Sequence, residues 1–254
     1  MPAIRCITFD WGDTLAANHG MPHVSVQRTA FARLGEDLVA AGGSLPAGWF
    51  DQAMRELAQS WHDSVDRTTN PDQREFDFAA LIDTWVGRAG AIEADPHAVR
   101  LALDRCLNSI TDTVLAYAES VPALSLLKAR GYRIGILSHV AWPGPACRSW
   151  FARHGLAPYI DFYSLSCDVG WIKPNPRHFR HALDLAGCPA NEVLHVGDHP
   201  LRDIGGAKAM GMRTCLRVTE GVYQAEELDA CRPDARIVSL HQLLDILAAM
   251  GRGA

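Results

Sequence analysis

The spacing of apolar residues changes character twice along the chain. Residues 4–10, IRCITFD, form a short β-branched apolar run that stops at a polar turn, the pattern of a buried strand. From about residue 17 to residue 117 the apolar positions fall three, four and seven apart instead. Phe31, Leu34 and Leu38 share one face, as do Trp49, Ala53, Leu57 and Trp61. Phe78, Leu81, Ile82 and Trp85 make a third stripe, and Val99, Leu103, Cys106, Leu107 and Ile110 a fourth. These stripes predict amphipathic helices, with AGGSLPAG and TTNPDQ as breaks between them. After residue 118 strand-like runs return: YRIGILS (132–138), FYSLS (162–166), EVLHVGD (192–198), MRTCLRV (212–218) and ARIVSL (235–240). Helical segments at 122–130, 145–154, 176–185 and 203–210 alternate with them.

Strands alternating with helices imply a parallel sheet with both faces covered. The expectation is an α/β fold, a doubly wound parallel sheet built from residues 1–16 and 118–254, with an all-helical domain inserted at residues 17–117. In such sheets ligands bind beyond the carboxyl ends of the strands.

Composition narrows the class. Hydrophobic residues at 48% and charged residues at 21% describe a soluble globular chain, and 254 residues suffice for a large core. No run of 18 apolar residues occurs, and no basic-then-apolar leader precedes the first strand. The expectation is a cytoplasmic protein with no membrane partner. A net charge of -5 offers no basic footprint for nucleic acid. The seven cysteines are odd in number and form no C-x-x-C pair, which points to reduced thiols packed in the fold.

The candidate chemistry lies where the predicted strands end. The first strand ends in Asp10, the second in Ser138 and the fourth in Asp198, while Lys173 follows the third. Two carboxylates, a hydroxyl and an ammonium are what a phosphate monoester hydrolase needs as nucleophile, metal site, donor and fixed cation. Lys173 carries extra weight because the chain has three lysines against 21 arginines. Asp198 and Asp203, five residues apart after Gly197, suit metal binding better than helix capping alone.

FDWGDTL, ILSHV, KPNPRHF and HVGDHPLRDIGGAKAMG occur in that order. Together they resemble the four motifs of the haloacid dehalogenase superfamily of aspartate-nucleophile hydrolases, across the whole predicted sheet domain. The resemblance implies a Rossmann-like core, with the inserted helices as a C1-type cap that sits over the active site and shapes substrate choice. It also implies a magnesium-dependent phosphohydrolase that takes a small phosphorylated metabolite through an aspartyl-phosphate on Asp10. Asp10, Asp198 and the main-chain carbonyl of Gly12 would hold Mg2+, and Asp203 would orient the ion's surroundings. Ser138 would bond the transferring group, and Lys173 would pair with both Asp10 and the phosphate. Thr14 would fix the turn after the first strand and complete the substrate-binding side.

One position departs from that family's pattern. The usual first motif is Asp-x-Asp-Gly-Thr, whose second Asp protonates the leaving group and then activates water. Here Gly12 and Asp13 stand in exchanged order. Three readings stay open: Asp13 as the acid/base from a displaced position, a histidine substitute in His139 or His199, or Asp13 as a turn residue with no dedicated acid. A lost acid costs ~10²–10⁴ in rate. Alternatives are therefore a 2-haloacid dehalogenase-like or phosphonate hydrolase, or a weakened phosphate-binding or regulatory protein. Dehalogenation is disfavoured by the retained Asp198 and Asp203. Phosphonate chemistry through a cap lysine has no lysine available in residues 17–117.

Overall fold

The computed structural model of the chain describes residues 3–90 and 95–251. Its strands are β1 (Cys6–Phe9), β2 (Ala16–Ala17), β3 (Leu115–Ala116), β4 (Arg133–Ser138), β5 (Phe162–Leu165), β6 (Val193–Gly197), β7 (Arg213–Arg217) and β8 (Ala235–Ile237). β2 and β3 pair antiparallel in a small ladder of their own. The remaining six form one parallel sheet in the order β5-β4-β1-β6-β7-β8. Every residue of β1 and β6 is buried, which is why these strands read as unbroken apolar runs. From β1 the chain builds outward through β4 and β5, then crosses back to lay down β6, β7 and β8 on the other side. The order reverses at β1 and β6, and their carboxyl ends flank the crevice that such a reversal opens. The fold is the doubly wound α/β sheet that the alternation predicts.

The chain divides into two compact units. One, Met1–His19 with Leu115–Val140 and Phe151–Ala254, contains the sheet. The other comprises Gly20–Val114 and Ala141–Trp150, and carries α1 (His23–Ala40), α2 (Trp49–Val65), α3 (Phe78–Arg88) and α4 (Pro96–Thr111). Its core joins Phe31, Leu34 and Leu38 to Trp49, Leu57, Phe78, Ile82, Trp85, Cys106 and Ile110. Asp77 and Asp95 cap α3 and α4 by accepting the N–H groups of Ala80 and His97, each worth about 1 kcal/mol. Trp61 leaves its predicted stripe and is 45% exposed. Steps of four residues advance a helix face by about 40° each, so a stripe begun at Trp49 has rotated out of the core by position 61. Residues 141–150, placed with the sheet by the sequence boundaries, group with the helices: Trp142 packs edge-on against Phe78, ring centroids 4.9 Å apart.

In the sheet unit, the helix Pro176–Ala186 packs Phe179, Ala182 and Ala186 against Leu137, Phe162 and Val193. The segment predicted as a helix over 203–210 starts earlier, with a wide π-type turn at Pro200–Gly205, before the short helix Gly206–Ala209. Wide turns of this kind collect at functional sites, and this one contains Asp203. All seven cysteines are free thiols. No described helix is long and apolar enough to cross a membrane.

Candidate active site

Asp10 follows β1, and its N–H donates to the Val196 carbonyl of β6 at 2.9 Å, so the residue sits at the reversal point of the sheet. Lys173 reaches the same point from the loop after β5 and is 2% exposed. Its ammonium donates to Asp10 Oδ1 at 2.7 Å, to the Leu137 carbonyl at 3.2 Å and to Asp203 Oδ1. Burial works against the Lys173 charge, but the Asp10 and Asp203 carboxylates outweigh it and hold the pKa above its ordinary value.

Asp203 is engaged on both oxygens. Oδ1 accepts from Lys173 and from His195 Nε2 at 3.2 Å, and Oδ2 accepts the His199 N–H at 2.9 Å. Burial pushes this carboxyl up, but Lys173 and then His195 pull it well below the usual carboxylate range. His195 lies on β6 opposite Thr8 of β1, and Thr8 Oγ1 is 3.0 Å from its Nδ1. Thr8 and His195 escape sequence reasoning; their only signal is a polar residue inside an otherwise apolar strand. Gly197 is required by contact. A Cβ there would lie 2.4 Å from Asp203 Cγ, so the Gly before Asp198 exists to let Asp203 close in.

Asp198 is buried, and the Tyr223 hydroxyl donates to its Oδ2 at 3.4 Å. Burial, followed by the charges of Asp203, Asp10 and Asp13, raises its pKa well above the usual value. Asp10, Asp198 and Asp203 each bring one carboxylate oxygen within 4.8 Å of the others. Three buried carboxylates against one ammonium leave an excess of negative charge, and an all-oxygen donor set is what a hard divalent cation takes. The donor set therefore fits Mg2+.

The turn after β1 is unusual at Asp13, whose φ of 54° is left-handed. Glycine adopts that conformation freely and aspartate is among the few other residues that tolerate it, which is how Gly12 and Asp13 can stand exchanged. The Asp13 carboxylate does not project outward from the turn. It accepts the N–H groups of Asn18 and His19, each at 2.9 Å, and pairs with His19 Nδ1. Gly12 bridges to Ala16, and the Asn18 side chain lies where a Cβ at position 12 would come within 3.2 Å of it. Thr14 is buried, and its hydroxyl has no hydrogen-bond partner among the described residues. Its carbonyl accepts from Arg217 Nη1 at 2.8 Å. Arg217 is itself buried, pairs with Glu119 at 2.9 Å and lies over the Tyr117 ring at 4.1 Å. Arg217, at the end of β7, carries no motif signal.

Ser138 is buried at the end of β4, beside β1. His139 follows it, half-buried. His199 caps the wide turn, its Nδ1 accepting the N–H groups of Leu201 and Arg202 at 3.2 and 3.3 Å. Burial and then Arg202 bring its pKa down to about 4, so the ring is a neutral cap. A cavity of about 410 Å³ lies away from all these residues, at the opposite strand ends, among Arg5, Arg133, Cys6 and Cys188.

A family model described as haloacid dehalogenase-like hydrolase matches residues 4–211. The chain belongs to this hydrolase family. Within the family it is 30% identical to the glyceraldehyde 3-phosphate phosphatase of Methanocaldococcus jannaschii, over 96% of this chain and 97% of that one. It is 32% identical to human haloacid dehalogenase-like hydrolase domain-containing protein 3, over 96% and 94% of the two chains. The crystal structure of a 2-haloacid dehalogenase from Pseudomonas syringae pv. Tomato matches with a TM-score of 0.66 at 27% identity, covering 97% and 99%. That of a phosphatase of the family from Thermococcus onnurineus matches with a TM-score of 0.64 at 21% identity over 96% and 98%, a likeness of fold.

Proposed function

We propose that the chain is a magnesium-dependent phosphomonoester hydrolase of the cytoplasm, acting on a small phosphorylated metabolite through an aspartyl-phosphate on Asp10. The observation that carries this reading is the ammonium of Lys173, buried between Asp10 and Asp203 with its Nζ 2.7 Å from Asp10 Oδ1. A buried cation keeps a carboxylate ionised and marks where an anionic group docks. The Asp10 carboxylate attacks phosphorus as the ester oxygen departs, and water then releases phosphate and regenerates the carboxylate. Ser138 holds a phosphate oxygen, Lys173 balances the charge, and Thr14 and Arg217 keep the turn in place. Asp10, Asp198 and the Gly12 carbonyl would hold Mg2+, with Asp203 behind them fixing Lys173. The bound ion would offset charge on the phosphate oxygens. The inserted helices are read as the cap that selects substrate.

The phosphatase relatives support a three-carbon sugar phosphate as a first substrate to test. The 27% identity to a dehalogenase supports testing a second chemistry beside it. Purified protein is assayed on glyceraldehyde 3-phosphate, acetyl phosphate and p-nitrophenyl phosphate with magnesium or with a chelator, and on 2-chloropropionate with halide detection. Magnesium-dependent phosphate release that Asp10→Asn abolishes is the expected result. Halide release that survives chelation would overturn the proposal in favour of dehalogenation, and ligand binding without turnover would favour a regulatory protein.

A further inference from the structure

His19 belongs to no motif, yet its ring is seated on the turn residue Asp13. The Asp13 carboxylate, 3% exposed, accepts the backbone N–H of Asn18 and of His19 and pairs with His19 Nδ1. A buried carboxylate on one imidazole nitrogen fixes the ring's tautomer and orientation, and leaves Nε2 as its other proton-carrying atom. The His19 side chain is 46% exposed, so a solvent-borne ligand reaches it. Its ring lies edge-on to Tyr223 with centroids 6.3 Å apart, and Tyr223 donates to Asp198. Asp13, His19 and Asp198 each place a polar atom within 4.8 Å of the others, and Asp198 stands in the same relation to Asp10 and Asp203. The dyad is thus one carboxylate away from Asp10. At position 12 itself Gly12 has no side chain, and Asn18, whose side chain lies against it, carries an amide.

We propose that His19, oriented by Asp13, is the general acid and base of the reaction, in place of the carboxyl group that position 12 lacks. This rests on the phosphohydrolase reading. As the Asp10 oxygen bonds phosphorus and the phosphorus–ester oxygen bond breaks, the Nε2 proton of the imidazolium passes to the departing oxygen, giving an alcohol and neutral His19. A water then bonds phosphorus and gives its proton to Nε2 while the Asp10–phosphorus bond breaks. Inorganic phosphate leaves, and the Asp10 carboxylate and His19 imidazolium are restored. Asp13 transfers nothing; it is a positioning residue.

The leaving group reads this role directly, because an alkoxide needs a proton to depart and a nitrophenolate does not. With magnesium present, His19→Ala is expected to lower kcat/KM on glyceraldehyde 3-phosphate by ~10²–10⁴ and on p-nitrophenyl phosphate by less than about tenfold. Asp13→Asn is expected to shift the same ratio in the same direction by a smaller factor, and a retained aryl-ester kcat/KM, which ends with departure of the leaving group, reports an intact site in both variants even where kcat falls on both esters through slower water attack. Equal losses on the two esters, or none, overturn the dyad while leaving the phosphohydrolase reading in place. Equal losses with a raised magnesium requirement overturn it too, by making His19 part of the ion site. Wild-type protein that releases phosphate from neither ester overturns both proposals.

Discussion

Lys173 Nζ lies 2.7 Å from Asp10 Oδ1 and bonds Asp203 at the same time, so one ammonium ties the end of β1 to the wide turn after β6. Removing it leaves two buried carboxylates without a counter-charge, which in general costs about 3–5 kcal/mol. Lys173→Met is therefore expected to lower stability by about that amount in urea unfolding without added metal. Lys173→Arg is expected to restore little, because the planar guanidinium does not fit a compact ammonium's place. Unchanged unfolding midpoints would show that the buried pair is not what holds these loops together.

Gly197→Ala places a methyl carbon 2.4 Å from Asp203 Cγ and 2.5 Å from its Cβ, and the clash is with a side chain anchored on both oxygens. Overpacking of this kind costs about 1–3 kcal/mol. Displacing Asp203 also loosens Lys173, so turnover is expected to fall about a hundredfold through misplacement alone. Thermal melts and phosphate-release rates on the same preparation check both. A variant that melts like the wild type with full activity would mean that Asp203 has room to retreat.

The fold was legible because both periods are local: buried parallel strands are continuous apolar runs and the inserted helices are striped at helical spacing. The strand-end acids were legible because motif order and sheet topology agree, and Asp10, Lys173, Asp198 and Asp203 converge at the β1 and β6 ends. Three kinds of feature were not. Thr8 and His195 meet only through the register of two strands 187 residues apart in sequence. Arg217 meets Thr14 across 203 residues, which no spacing rule reaches. His19 bonds Asp13 only because position 13 takes a left-handed φ and curls the chain back on itself, a backbone property that composition does not display.

Arg217 fixes the turn after β1 from below, through the Thr14 carbonyl at 2.8 Å and the Glu119 pair at 2.9 Å. Its side chain is 8% exposed, so truncation leaves the Thr14 carbonyl and the half-buried Glu119, which Ser239 still bonds, without the guanidinium. Arg217→Met is expected to cost about 1–3 kcal/mol. Glu119→Gln in the Arg217→Met background is expected to recover part of that loss, since it removes the charge that the guanidinium paired. Urea unfolding of the single and double variants measures the coupling; simple additivity would mean that the pair does not act as a unit.

Asp161 supplies a pH test away from the catalytic cluster. Burial raises its pKa, but the Ile134 N–H at 2.7 Å and the Lys128 ammonium at 2.8 Å lower it by more, for a net downward shift. A carboxyl group with a depressed folded pKa contributes stability above its unfolded value, and that contribution is lost as pH falls through the folded one. Wild type is therefore expected to be more stable than Asp161→Asn at pH 7, with the gap closing below about pH 4. Unfolding free energies at several acidic pH values check the convergence; a gap that widens on acidification would reverse the assigned sign.

Exchanging positions 12 and 13 asks whether backbone geometry or side-chain supply determines where the proton comes from. Asp13→Gly suits a φ of 54°, which glycine adopts without strain, but it frees His19 from its carboxylate. Gly12→Asp brings a Cβ to 3.2 Å from Asn18 Cβ and 3.3 Å from its Cγ, so Asn18 has to give way slightly for the new carboxyl to enter. The double variant Gly12→Asp with Asp13→Gly has the usual motif order and its own acid. Adding His19→Ala to that background is then expected to lower alkyl-ester kcat/KM by less than about tenfold, against ~10²–10⁴ in the native order. If His19→Ala costs as much in the exchanged background as in the native one, the new carboxyl has not taken over the proton, and His19 acts by some route other than replacing it.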